Sequence, residues 1–184
     1  TAFKAGAGST TISNNTGGEV HGAQSAIWAF TYDPLADGNA LTIYNDGLLE
    51  GDGATDATIH TFNDGNLTLH NDVNGVITNS QTTPETGTIL DSWAKGTATL
   101  TNDGQAIGNM VVQADGVDAG GASILFNNNT GALWAYGGSN DFLGDGDIVL
   151  NNGGTINAVG VSSSSFESLN GDIAITNAGV MNTT

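Results

Sequence analysis

DFLGDGDIVLNNGGTINA, residues Asp141–Ala158, holds a complete structural phrase. Ile148 and Leu150 alternate with polar neighbours, which is the period of a half-buried strand. Asn151, Asn152, Gly153 and Gly154 then form a polar turn, and a second short strand centres on Ile156. The phrase reduces to apolar, any, apolar, any, Asn, a few residues with Gly, then apolar.

The same phrase fits seven times along the 184 residues. Its Asn falls at Asn14, Asn45, Asn71, Asn102, Asn128, Asn152 and Asn177, in steps of 31, 26, 31, 26, 24 and 25 residues. Such a near-constant step marks a repeat in which each unit buries its apolar face against the next. The expected fold is therefore all-β, a right-handed parallel β-solenoid of about seven coils. Ile43, Leu69, Leu100, Leu150 and Ile175 are expected to face inward. Asn45, Asn71, Asn102, Asn128, Asn152 and Asn177 are read as structural turn residues, because Asn tolerates left-handed backbone and can bond to neighbouring main chain. The alternative is an antiparallel β-sandwich, since Asn-Asp-Gly at 45–47, 63–65 and 102–104 is also a hairpin signal. Steps near 26 residues exceed the 8–12 of consecutive hairpins and favour the solenoid.

Residues 1–9 are small and nearly uncharged, and read as a flexible N-terminal arm ahead of one repetitive domain, 10–184. Opening on Thr1, the chain is expected to be processed or excised. Pro34 in YDPLADG (32–38) and Pro84 in SQTTPETG (80–87) both fall inside 31-residue steps, where loops extend the coil. VSSSSFES (161–168) reads as a loop or an exposed strand. No apolar run approaches the roughly 18 residues of a membrane helix.

Lys4 and Lys95 are the only basic side chains besides three His, set against 19 acidic ones, for a net charge of −17. Phosphate neutralisation needs Lys and Arg, so nucleic acid is excluded as a partner, and anionic membranes are disfavoured. Acidity serves solubility, and carboxylates also suit Ca²⁺. GGSNDFLGDGD (137–147) partly matches the calcium nonapeptide GGxGxDxUx through Gly137, Gly138, Asp141 and Leu143. The candidate metal residues are Asp141, Asp145 and Asp147, with Asn140 assisting; solvated turns are the simpler account. Asp52/Asp56 and Asp115/Asp118 are further short-spaced pairs. No other cofactor is called for.

No catalytic set stands out. His21, His60 and His70 form no HxxxH or HxH spacing, Cys is absent, and the Ser run lacks a neighbouring His. Acid pairs could serve glycoside hydrolysis, but no Arg is available to match the basic sites of β-helix pectinases. Trp28, Trp93 and Trp134 lie 14, 22 and 6 residues after their preceding anchors, which predicts no aligned Trp ladder and packing at corners or ends, with Trp93 beside the 80–87 loop as the exception.

FLGDGDIVLNNGGTINA (142–158) and TNDGQAIGN (101–109) resemble the passenger regions of Gram-negative autotransporters and related surface adhesins. The resemblance covers most of Thr10–Asn182 and implies a right-handed parallel β-helix at the cell surface, with no fixed catalytic residues. The expected function is a non-enzymatic, extracellular structural or adhesive module of a bacterial surface protein. Its partners would be itself, neighbouring protein subunits or surface glycans. The alternative is a self-assembling subunit of an extracellular filament or surface layer, joined by strand exchange through the N-terminal arm.

Overall fold

The computed structural model describes residues 8–31, 38–52, 56–81, 83–116 and 121–184, together with the backbone of 3–5. Among the described residues, twenty-one strands wind through seven coils of three. The first coil is β1 (Phe3–Ala5), β2 (Thr10–Asn14) and β3 (Glu19–Gly22). The second is β4 (Ile27–Phe30), β5 (Leu41–Asn45) and β6 (Leu48–Gly51), and the third β7 (Ile59–Asn63), β8 (Leu67–Asn71) and β9 (Val76–Asn79). A 3₁₀ turn, Pro84–Thr86, precedes the fourth: β10 (Thr88–Ala94), β11 (Ala98–Asn102) and β12 (Gln105–Ile107). Then come β13 (Asn109–Ala114), β14 (Ile124–Asn128) and β15 (Leu133–Tyr136), followed by β16 (Ser139–Gly144), β17 (Ile148–Asn152) and β18 (Thr155–Ala158). The last coil is β19 (Ser163–Ser168), β20 (Ile173–Asn177) and β21 (Val180–Thr183).

Each strand pairs in parallel with its counterpart one coil away, giving three seven-stranded sheets. We call the sheet from β1 to β19 the first face, that from β2 to β20 the second and that from β3 to β21 the third. The parallel solenoid is thus the observed fold, and among the described residues the hairpins of a sandwich are not formed. Its turns connect one face to the next, so Asn-Asp-Gly at 45–47 and 102–104 bends the chain between faces instead of reversing it.

Register decides the interior. Ile12, Ile43, Leu69, Leu100, Phe126, Leu150 and Ile175 stand in one column on the second face. Val20, Leu49, Ile77, Ala106, Trp134, Ile156 and Met181 form a column on the third. Strand alternation sends these side chains into the lumen, where stacked coils remove them from water. Ile43, Leu69, Leu100 and Leu150 are buried as expected. Ile175 occupies the same column but is 52% exposed, because no coil follows β20 in the sheet.

Within the stretch read as an arm, Phe3–Ala5 form β1, paired in register with Ile27–Ala29. The Ser run is β19, an end strand of the first face whose Phe166 stacks on Phe142. The loop around Pro34 falls almost wholly outside the described residues, as does Asp118.

Candidate functional site

The seven anchor Asn residues do not occupy left-handed backbone: among the described residues only glycines have positive φ. They end the second-face strands and turn inward. Asn14 Nδ2 donates to Asn45 Oδ1, Asn45 to Asn71, Asn71 to Asn102, Asn102 to Asn128 and Asn128 to Asn152, each at 2.8 Å. Asn152 donates to Asn177 at 2.7 Å. The same Nδ2 atoms also reach a main-chain carbonyl of the next coil, such as Leu133 O from Asn102 at 2.9 Å. An amide suits this position because it carries donor and acceptor at once, so each rung repeats the last. Of the two reasons expected for Asn here, left-handed backbone does not hold, whereas bonding to nearby main chain does, as from Asn71 Nδ2 to Gly75 O at 3.1 Å.

Glycine follows for a related cause. A Cβ on Gly104 would lie 2.2 Å from Gly75 O and 2.3 Å from Asp72 O, so the turns pack backbone against backbone.

Outside the lumen, aromatic rings gather on the first face. Phe30, Phe62 and Trp93 share an outward column. Phe30 and Phe62 stack with centroids 5.1 Å apart, Phe62 and Trp93 at 4.2 Å, both pairs 12° from parallel. The neighbouring column holds Trp28, His60 and Asp91, with Trp28 edge-on to His60 at 5.2 Å. Trp28 and Phe30 are exposed. The three Trp form no ladder among themselves, as expected, but Trp28 and Trp134, expected at corners or ends, lie within strands β4 and β15. Trp93 extends a ladder begun by two phenylalanines, and Trp134 is buried in the lumen. Unequal loops shift the coil phase, so counting from the anchor misplaced these rings. Stacked rings leave their edges to solvent beside an imidazole and a carboxylate, a surface able to hold a ligand.

His60 Nδ1 lies 3.1 Å from Asp91 Oδ2. That hydrogen bond raises the imidazole pKa above its ordinary value, burial opposing it and the charges of Asp91 and Asp56 adding to it. A raised folded-state pKa contributes stability that is complete below about pH 6.5 and disappears as pH rises through the folded value. The expected loss between about pH 5.5 and 8.5 is a few tenths of a kcal/mol after solvent screening. Urea titrations of the parent and Asp91→Asn check this: the difference in stability between the two should shrink at the higher pH.

The acidic candidates separate. Asp141 sits mid-strand on β16, exposed, with Ser165 as its neighbour one coil on. Asp145 and Asp147 lie beyond the end of that strand and accept bonds from the next coil, Asp145 from Asn170 Nδ2 and Asp147 from the Asp172 N–H. The three carboxylates are not brought together. Among the described residues the one cluster with metal-ligand spacing is His70, Asp72 and Asp103, whose ligand atoms lie within 4.8 Å of one another. His70 Nε2 is 2.8 Å from Asp103 Oδ2 and 3.3 Å from Asp72 Oδ1. Asp46, Asp72 and Asp103 each directly follow a ladder Asn, a signal present in the sequence and missed. Asp46 accepts from the Thr16 hydroxyl and Asn74, which lowers its pKa. His21 is flanked by Glu19 and Glu50, which raise its own.

The fold and these surfaces define a three-faced parallel β-solenoid with an amide ladder in its lumen. No protein-family profile, curated protein or solved structure matches the chain.

Proposed function

We propose that this chain is a non-enzymatic, extracellular structural and adhesive module of a bacterial surface protein. The observation that supports this best is the registered stack of seven coils around a lumen filled with side chains. Such a stack delivers length and stiffness, about 30 Å along its axis at 4.8 Å per strand spacing. The likeness of its phrases to autotransporter passengers and its net charge of −17 agree with an exposed, soluble surface. The adhesive contact is assigned to the first face, where Trp28, Phe30, Phe62 and Trp93 can meet the apolar faces of surface glycans.

The test has two arms. On a panel of polysaccharides the chain should release no product, and robust hydrolase or lyase activity abolished by a single carboxylate change would overturn the reading. On a glycan array, binding is expected to weaken about tenfold in Phe30→Ala with Trp93→Ala, a loss of roughly 1.4 kcal/mol. Equal binding by both proteins removes the first face from the proposal.

A further inference from the structure

We propose that His70, Asp72 and Asp103 form a binding site for a single divalent transition-metal ion, of the Zn²⁺ class, which clips the third coil to the fourth. The site lies where the second face turns into the third, apart from the aromatic first face, and is independent of the adhesive reading above.

The donors converge on one point. His70 is an outward residue of β8, standing between Tyr44 and Thr101 in its column. Asp72 is the first residue after β8 and Asp103 the first after β11, so the two carboxylates open equivalent turns of successive coils. Both approach the same imidazole nitrogen, Nε2 lying 2.8 Å from Asp103 Oδ2 and 3.3 Å from Asp72 Oδ1. Donors bound at about 2.0–2.1 Å around a tetrahedral ion stand about 3.3–3.5 Å apart, so small side-chain movements seat one here. In the absence of an ion, Nε2 offers at most one proton to the two carboxylates. Asp103 is held in place as well: Asn129 Nδ2 donates to its Oδ1 at 2.8 Å and leaves Oδ2 facing the imidazole. Hydrogen bonds of this kind orient a metal-bound carboxylate.

The neighbouring candidates lack this convergence. His21 meets Glu19 through Nε2 and Glu50 through Nδ1, so its carboxylates flank different ring nitrogens and cannot share an ion with either one. His60 has Asp91 on Nδ1. Asp46 opens the equivalent turn one coil before Asp72, but the Thr16 hydroxyl and Asn74 take its two oxygens. An imidazole nitrogen among the donors favours Zn²⁺, Co²⁺ or Cu²⁺ over Ca²⁺ and Mg²⁺, which prefer oxygen alone. Three protein donors leave a further position for water. The net charge of −17 raises the cation concentration around the whole surface, so the test must separate a site from diffuse attraction.

Calorimetric titration of the 184-residue chain with Zn²⁺ alone, in about 0.15 M salt to screen that attraction, should give one ion per chain. His70→Gln and Asp103→Asn should each weaken binding about tenfold or more. Asp141→Asn removes the same charge as Asp103→Asn from the exposed side of β16 and should leave binding unchanged. With Cu²⁺ as the probe, electron paramagnetic resonance should show coupling to an imidazole nitrogen that His70→Gln removes and that His21→Gln and His60→Gln retain. Zn²⁺ at about a hundred times its Kd should raise the Tm by about 5–10 °C. Absence of binding reduces the cluster to an ion pair, and binding that Asp103→Asn weakens no more than Asp141→Asn is diffuse attraction; either result overturns the site and leaves the adhesive reading intact. Should His70→Gln fail to fold, the imidazole resonances of the parent decide. His70 should shift alone at one equivalent of Zn²⁺, and equal shifts at all three histidines would overturn the proposal.

Discussion

Asn102→Ala is expected to destabilise the chain by about 3 kcal/mol. The side chain accepts from Asn71 Nδ2 and donates to Asn128 Oδ1 and Leu133 O, all within 2.8–2.9 Å. Alanine removes all three bonds and leaves the two neighbouring amides without their ladder partner in a dry interior. Each buried group so stranded costs about 1–3 kcal/mol, although Asn71 keeps its bonds to Gly75 O and Gln105 O. Asn177→Ala provides the contrast. It removes one rung bond at an exposed end, and the loss should stay below about 1 kcal/mol. Urea unfolding followed by circular dichroism measures both. Equal losses at the two sites would mean that burial does not set the value of a rung.

Trp134→Ala should cost about 3–5 kcal/mol, the range for emptying an aromatic site in a packed core. Trp134 is 1% exposed and stands one coil beyond Ala106, whose small side chain leaves room for the indole. It meets Phe126 edge-on at 5.1 Å, and its Nε1–H donates to Gly108 O at 3.1 Å. Trp134→Phe keeps much of the volume and gives up the hydrogen bond, so a loss nearer 1–2 kcal/mol is expected. Fluorescence supplies an independent readout. Trp28 is exposed whereas Trp134 is sealed, so the blue-shifted part of the emission should vanish in Trp134→Ala. Retention of that component would place the dry indole elsewhere.

These two sites were legible to different degrees in the sequence. Asn102 belonged to a phrase whose strand period, polar turn and Gly recur locally, and a local pattern survives whatever loops intervene. The column of inward residues was read the same way, through Ile43, Leu69, Leu100 and Leu150. The partner of each Asn was not local. It sits 24 to 31 residues away, and only coil stacking shows that an amide faces another amide.

By itself, then, the sequence determined the repeat, the number of coils, the strands that alternate and the net charge of −17. Tertiary structure alone decided which side chains meet between coils, because that depends on the summed lengths of the intervening loops. The connection from β8 to β9 has four residues, that from β11 to β12 two, yet both strands enter the same sheet in register. Such adjustments brought Trp93 onto Phe62 and His70 beside Asp103, and left Asp141 apart from Asp145 and Asp147. They also exposed Ile175: its pattern is that of a core residue, but burial requires a neighbouring coil, and none follows β20 within the chain.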